Sequence, residues 1–334
     1  MRALKNLWAY SPVLWTLALA SVLLPLLISS RYYQDIIVMT FLWAGLAGSW
    51  NLYSGYSRRI SAGHGAFLGI GAYTSTLLYL GFGLSPWIGM LAGGVLSGIA
   101  ALVIGGATLR LKGTFFTLST IAFNRILEVA AITATGLTAG SLGLFIPHNP
   151  GFANMTFVGR EPWVVITWAY MLLVIALSVC LERSKLGYCL IALGENQEAA
   201  ENLGVNTTKT MLTAFVASAV LTAFGGTLLA GYIAFIEPVS VMGVLTSVQF
   251  ILLAIAGGMG TAFGPMIGSF ILTPAGLLLR GGFAGISGLH GFVLGMILVL
   301  VLLFRPDGIL PQIRQFFGWI KSKKSRPHGK KGAV

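Results

Sequence analysis

The chain is 334 residues long, 56% hydrophobic and only 9% charged, with a formal net charge of +12. A soluble domain carries about 25% charged residues to cover itself with a water-compatible surface, so a soluble fold is excluded. Nucleic acid is not the implied partner, because the basic residues fall in short stretches between apolar runs and in a C-terminal tail. That is the placement expected beside the cytoplasmic leaflet.

The apolar runs have helix-spanning length, which makes this an all-α, polytopic membrane protein rather than a barrel. Forty-four glycines against twelve prolines predict closely packed, locally irregular helices. Residues 1–10 are polar, with Arg2 and Lys5, and 11–28 form the first apolar segment. Ser29-Ser30-Arg31 makes a poor cleavage site, so this segment reads as a retained first helix. Helices follow at about 36–54, 62–80, 87–108 and 114–133, the third of the chain being one that its glycines could break. The loop 134–162, rich in Gly, Asn, Thr and Pro, reads as extramembrane. A helix at about 163–181 leads into the most polar interior stretch, 183–209. Four more follow at about 210–232, 240–256, 262–279 and 289–304, with the glycine-rich span 255–264 a second weak point. The transmembrane domain is thus 1–312, and 313–334 is a basic tail.

Charge placement tests this count. With the N-terminus in the cytoplasm, Arg58/Arg59, Arg110/Lys112, Arg183/Lys185/Lys209 and Arg305 with the tail all fall inside. Outside loops keep only Arg31, Arg160 and Arg280, so ten helices with both termini cytoplasmic satisfy the positive-inside rule at every turn. Cys180 and Cys189 fall near the cytoplasmic face, where neither a structural disulfide nor a metal site is expected.

Three stretches carry candidate function. Ser61-Ala-Gly-His-Gly-Ala-Phe-Leu-Gly-Ile-Gly-Ala-Tyr73 sets Gly63, Gly65, Gly69 and Gly71 and His64 among large apolar residues, Phe67 included. Such glycines mean either close approach of another helix or a pathway beside an interrupted helix, and a lone histidine there is either a packed polar residue or a cavity-lining one. Ala192–Gly204 carries Glu195, Glu198 and Glu201 at intervals of three, with Ala192, Ala199, Ala200 and Leu203 near helical spacing. It reads as one short amphipathic helix along the membrane, stopped by Gly204, and it needs a partner groove for its apolar side. Arg125 and Glu128 lie three apart inside the helix 114–133; they are either a polar pathway or subunit contact or, slightly favoured, an ion pair within the helix. No phosphate-binding Gly-x4-Gly-Lys-Ser/Thr loop, His-Glu-x-x-His, Gly-x-Ser-x-Gly or Cys-x-x-Cys occurs, so any ATP and Mg chemistry belongs to other subunits and this chain is expected to be neither an enzyme nor a cofactor carrier.

An ordered set of motifs then converges: Asn51-Leu-x-x-Gly55, the 61–73 stretch, Thr138-Ala-Gly-Ser-Leu-Gly-Leu144, Ala192-Leu-x-Glu-Asn-x-x-Ala-Ala-Glu-x-Leu-Gly-Val-Asn206, Gly257-Gly-Met-Gly-Thr-x-x-Gly-Pro265 and Arg305-Pro-Asp-Gly308. Together these resemble the permease subunit of a branched-chain amino acid ABC importer, its LivM-like member, over about residues 36–312. Glu198-Ala-Ala-x3-Gly204 also resembles the signature that binding-protein-dependent permeases present to their ATPases, without its downstream proline. The resemblance implies a homologous second permease, two cytoplasmic ATP-binding subunits, an extracytoplasmic substrate-binding protein and a bacterial inner membrane. It implies that Glu195, Glu198, Ala199, Ala200, Glu201 and Gly204 form the ATPase-coupling loop within 183–209. It also implies a translocation pathway drawn from Ser61, Gly63, His64, Gly65, Phe67, Gly69, Gly71, Tyr73, Arg125 and Glu128. Ala62 and Ala139 depart from the usual residues, and related permeases carry urea or short amides. An ion-gradient-driven transporter is the alternative class, but it wants polar ion ligands at mid-membrane, where Glu128 is the one carboxylate.

Overall fold

The computed structural model describes residues 30–111 and 113–282, together with Thr16, Ala20, Ser21, Gly295 and Met296. The expected helices at 11–28 and 289–304 and the basic tail lie outside the described residues. Helices α1 (Arg31–Ser57), α2 (His64–Phe82), α3 (Pro86–Thr108) and α4 (Thr114–Thr133) are followed by the single turn α5 (Thr135–Thr138). Then come α6 (Glu161–Glu182), α7 (Lys185–Glu195), α8 (Gln197–Asn202) and α9 (Thr207–Ile233), and finally α10 (Pro238–Met242), α11 (Val244–Gly257) and α12 (Gly264–Gly282).

Among the described residues, seven segments are long and apolar enough to cross a membrane, with α10 and α11 counted as one, and α12 adds a shorter apolar helix. This matches the eight spans expected between 36 and 279, and it makes the chain a multi-pass membrane protein. The expected break falls elsewhere. α2 is continuous, whereas the span expected at 240–256 is divided at Gly243, whose extended backbone (φ −60°, ψ 147°) separates α10 from α11. The 134–162 loop is not wholly irregular either: β1 (Leu144–Phe145) pairs antiparallel with β2 (Phe235–Ile236), a small addition to the all-α expectation.

α1 is the hub, packing against α6, α9 and α12 and buried along most of its length. α9 crosses α2 at backbone contact: a methyl group at Gly71 would land on the Ala223 carbonyl, and one at Gly226 on the Leu68 carbonyl. Small residues permit this approach, and in lipid, where apolar burial gives little drive, such packing supplies much of the cohesion. α4 is the least enclosed span.

The chain direction alternates, so one end of the bundle gathers the C-termini of α1, α6 and α11 with the N-termini of α2 and α9. There the loop 258–263 is fastened by two polar side chains. Asn51 donates through Nδ2 to the Thr261 carbonyl at 3.0 Å and accepts from the Gly260 N–H at 2.8 Å. Glu182 Oε1 accepts from Tyr56 Oη at 3.0 Å and from the Ala262 N–H at 2.8 Å. Two motifs some two hundred residues apart are therefore halves of one contact.

Candidate functional site

The segment between α1 and α2 is clamped before α2 begins. Trp50 Nε1 donates to the Ser61 carbonyl at 2.7 Å, and the Ser61 N–H donates to Ser54 Oγ at 3.2 Å. His64, fully buried, then bridges helices through both ring nitrogens: Nδ1 lies 3.0 Å from Ser61 Oγ and Nε2 2.7 Å from Ser218 Oγ on α9. The Ser218 hydroxyl donates to the Ser49 carbonyl at 2.7 Å, so it must accept from Nε2–H. In the neutral ring this fixes the tautomer: Nδ1 is unprotonated and accepts a hydrogen bond from the Ser61 hydroxyl. From Ser49 the chain of contacts runs on to Tyr170 Oη on α6, at 3.1 Å, which donates to the Leu221 carbonyl. One connected polar row thus ties α1, α2, α6 and α9 together inside an apolar bundle.

The four glycines of this stretch meet four different neighbours. A side chain at Gly63 would strike Thr120 of α4; at Gly65, Ser247 of α11; at Gly69, Met242 of α10; and at Gly71, Ala223 of α9. Ser61, Phe67 and Tyr73 are buried as well, and none of these residues lines either of the two large cavities described below. The structure therefore brings the 61–73 candidates together as an interior seam.

The 192–204 stretch is two helices rather than the single amphipathic helix expected. Asn196 (φ −153°, ψ 106°) interrupts it because its side chain accepts from the Ala199 N–H at 3.0 Å and caps a new helix, α8. Gly204, at φ +85°, ends α8 as expected: its N–H bonds to the Glu201 carbonyl and the Val205 N–H to the Ala200 carbonyl, a Schellman closure. Leu190, Leu193 and Ala200 are buried in the core, whereas Glu195, Glu198, Ala199, Glu201 and Gly204 are exposed, as is Leu203 at 86%. The hairpin is tied to the α1–α2 connection: Arg58 pairs with Glu195 at 2.7 Å, and Arg59 bonds to Gln197 and to the Leu109 and Leu111 carbonyls.

Arg125 and Glu128 do form an ion pair within α4, at 2.6 Å, with the Glu128 side chain 2% and the Arg125 side chain 62% exposed. They stand apart from the His64 row. Neighbouring Asn124 donates to the Met242 carbonyl at 2.7 Å. Sequence reasoning missed Asn124, Ser218, Tyr170 and Glu182; each is a polar residue in an apolar run, which was the available signal.

The family model for the branched-chain amino acid transport system permease component matches residues 32–302. The chain belongs to this permease family. A curated relative, the high-affinity branched-chain amino acid transport system permease protein LivM of Salmonella typhimurium, is 31% identical over 308 residues, covering 85% of this chain and 71% of the relative. LivH, the permease protein of the same name in Escherichia coli, is 27% identical over 299 residues, covering 80% of this chain and 91% of the relative. The autoinducer 2 import system permease LsrC of Photorhabdus laumondii is 31% identical over 151 residues, 43% of this chain and 44% of the relative. No solved structure matches. As a member of the branched-chain amino acid permease family, the chain is a membrane permease subunit of an ABC importer and acts in transport rather than as an enzyme.

Proposed function

We propose that this permease translocates branched-chain amino acids across the bacterial inner membrane as one of two homologous transmembrane subunits. Two cytoplasmic ATP-binding subunits, which carry ATP and Mg, drive it, and an extracytoplasmic binding protein delivers the substrate. In this reading the chain has ten helices with both termini cytoplasmic, the end that gathers the α7–α8 hairpin faces the cytoplasm, and the hairpin docks the ATPases. One observation carries the reading. The hairpin is anchored through Leu190, Leu193 and Ala200 yet presents Glu198, Ala199 and Leu203 outward, an apolar and acidic surface at one end of a membrane bundle. An apolar residue so exposed on a short helix is a contact awaiting a partner.

Docking would be felt in the interior through Arg58 and Arg59. These residues join the hairpin to the connection that ends in the clamped Ser61 and in His64. Movement of the hairpin therefore bears on the α2–α9 seam, which is where Ser61, Gly63, His64, Gly65, Phe67, Gly69, Gly71 and Tyr73 would act on the pathway, with Arg125 and Glu128 on α4 beside it. ATP binding need only favour one of two bundle arrangements for the pathway to open alternately to the two sides.

The test is reconstitution of the complete transporter in liposomes with leucine as the probe. ATP-dependent accumulation is expected, and Glu198→Lys is expected to abolish it and its coupled ATP hydrolysis. Accumulation that continues without any ATPase and follows a proton or sodium gradient would refute the proposal.

A further inference from the structure

The end of the bundle opposite the α7–α8 hairpin holds a cavity of about 870 Å³ between the N-termini of α1 and α6, the C-terminus of α9 and the 146–160 segment. Its wall carries charges of both signs. Arg160 and Asp35 pair at 2.8 Å, Tyr232 Oη donates to Asp35, and the Arg160 guanidinium lies 5.3 Å from the centre of the Tyr232 ring. Asp35 and Arg160 are therefore largely committed to each other. Arg31 and Glu161 are not: Arg31 makes no ion pair among the described residues, and Glu161 Oε1 receives only a long 3.5 Å contact from Gln34 Nε2. Gln34 lies one helical turn from Arg31 on α1, so the residue that touches Glu161 shares a face of α1 with Arg31, and all three line the same cavity.

An ion of a single sign entering this cavity is attracted by one of these groups and repelled by the other, whereas a small zwitterion satisfies both. The apolar side of the cavity supplies a further constraint. Met39, Ile233 and Leu277 line it and also line a second, mainly apolar cavity of about 390 Å³. A polar chamber and an apolar chamber thus share one aliphatic wall.

We infer that this cavity is a binding site for a zwitterionic amino acid with an aliphatic side chain: Arg31 takes the carboxylate, Glu161 takes the ammonium, and Met39, Ile233 and Leu277 bear the side chain. The Asp35–Arg160–Tyr232 cluster acts as positioning framework. The site rests on the substrate class proposed above and adds a place in this chain where substrate pauses. Ligand pockets span about 300–1,000 Å³, so the chamber leaves one amino acid hydrated and loosely held, as suits a molecule in transit.

The experiment is equilibrium binding of radiolabelled L-leucine to the complete transporter in lipid nanodiscs with the binding protein omitted. Unlabelled L-leucine should displace the label. L-leucinamide, 4-methylpentanoate and glycine, which lack the carboxylate, the ammonium and the aliphatic group, should each be at least about tenfold weaker. Arg31→Gln and Glu161→Gln should each weaken binding about tenfold, while Cys180→Ser, on the far half of α6, should leave it unchanged. Equal competition by all three analogues, or unchanged binding in both charge variants, overturns the inference. So does an absence of binding in a transporter that still accumulates leucine with ATP. Because the competition series uses the unmodified protein, a misfolded variant does not decide the matter. If leucine binds as described but uptake needs no ATPase, the site stands and the proposed energy coupling fails.

Discussion

The start of α2 and the α7–α8 hairpin sit at the same end of the molecule and are joined through Arg58 and Arg59, yet they are built in opposite ways. At the start of α2 the Ser61, Ala62 and Gly65 N–H groups and the His64 ring find their partners within the chain. His64 is satisfied on both nitrogens, and the glycines are filled by neighbouring helices. On α8 Asn196 and Gly204 close the two ends and Gln197 ties the helix to Arg59, while the outer face, with Glu198, Ala199 and Leu203, stays exposed. A segment finished by its own fold transmits movement, whereas one left open on one side receives it. Polar content alone does not separate the two; the location of the partners does.

Four substitutions would break or sharpen this contrast, ordered by their expected effect on folding. Gly71→Val places its side chain on the Ala223 carbonyl of α9, and backbone cannot yield as a side-chain tip can. It should cost about 3 kcal/mol or more and remove most of the folded permease, as read by thermal unfolding in detergent. Wild-type stability in this variant would mean that α2 and α9 do not meet as described. His64→Ala strands the Ser61 and Ser218 hydroxyls and opens a cavity, for about 2 kcal/mol, and His64→Gln should recover part of the loss. Asn51→Ala frees the 258–263 loop from α1 and should cost about 1–2 kcal/mol, with faster proteolysis between 257 and 264 as the local readout. Leu203→Ser, on the open side of the hairpin, should leave stability within about 0.5 kcal/mol of wild type while lowering ATP-driven uptake. A Leu203→Ser protein that melts early would place that residue in the core and erase the distinction.

Much of the architecture was legible in the sequence because lipid imposes a length on every span. The eight helices between 36 and 279 were found within a few residues of their ends by apolar length alone. The break at Gly243 was not legible, since one glycine among forty-four carries no local mark, and the glycines of 61–73 looked more disruptive than they are. The division at Asn196 did have a sign, a capping residue three positions before Ala199, which the regular spacing of the glutamates masked. Pairings such as His64 with Ser218 were out of reach because the partners are 154 residues apart. The cavity at the opposite end escaped for a related reason. Arg31, Asp35, Arg160 and Glu161 are scattered, and the two arginines counted only as outside-loop charges until the fold gathered all four around one space.

The fastening of the 258–263 loop bears on how the permease is made. Asn51 lies in α1, and its donor and acceptor partners arrive 209 and 210 residues later. At a synthesis rate of about 5–20 residues per second, α1 spends on the order of ten to forty seconds in or beside the membrane before that amide can reach its final partners. During this interval a polar side chain near the end of an apolar helix has to be met by water, lipid headgroups or the insertion machinery. Biogenesis of this chain is therefore governed by a late event: closure of the bundle waits for a loop encoded in its last quarter, and truncation before residue 260 should leave α1 inserted but unlatched.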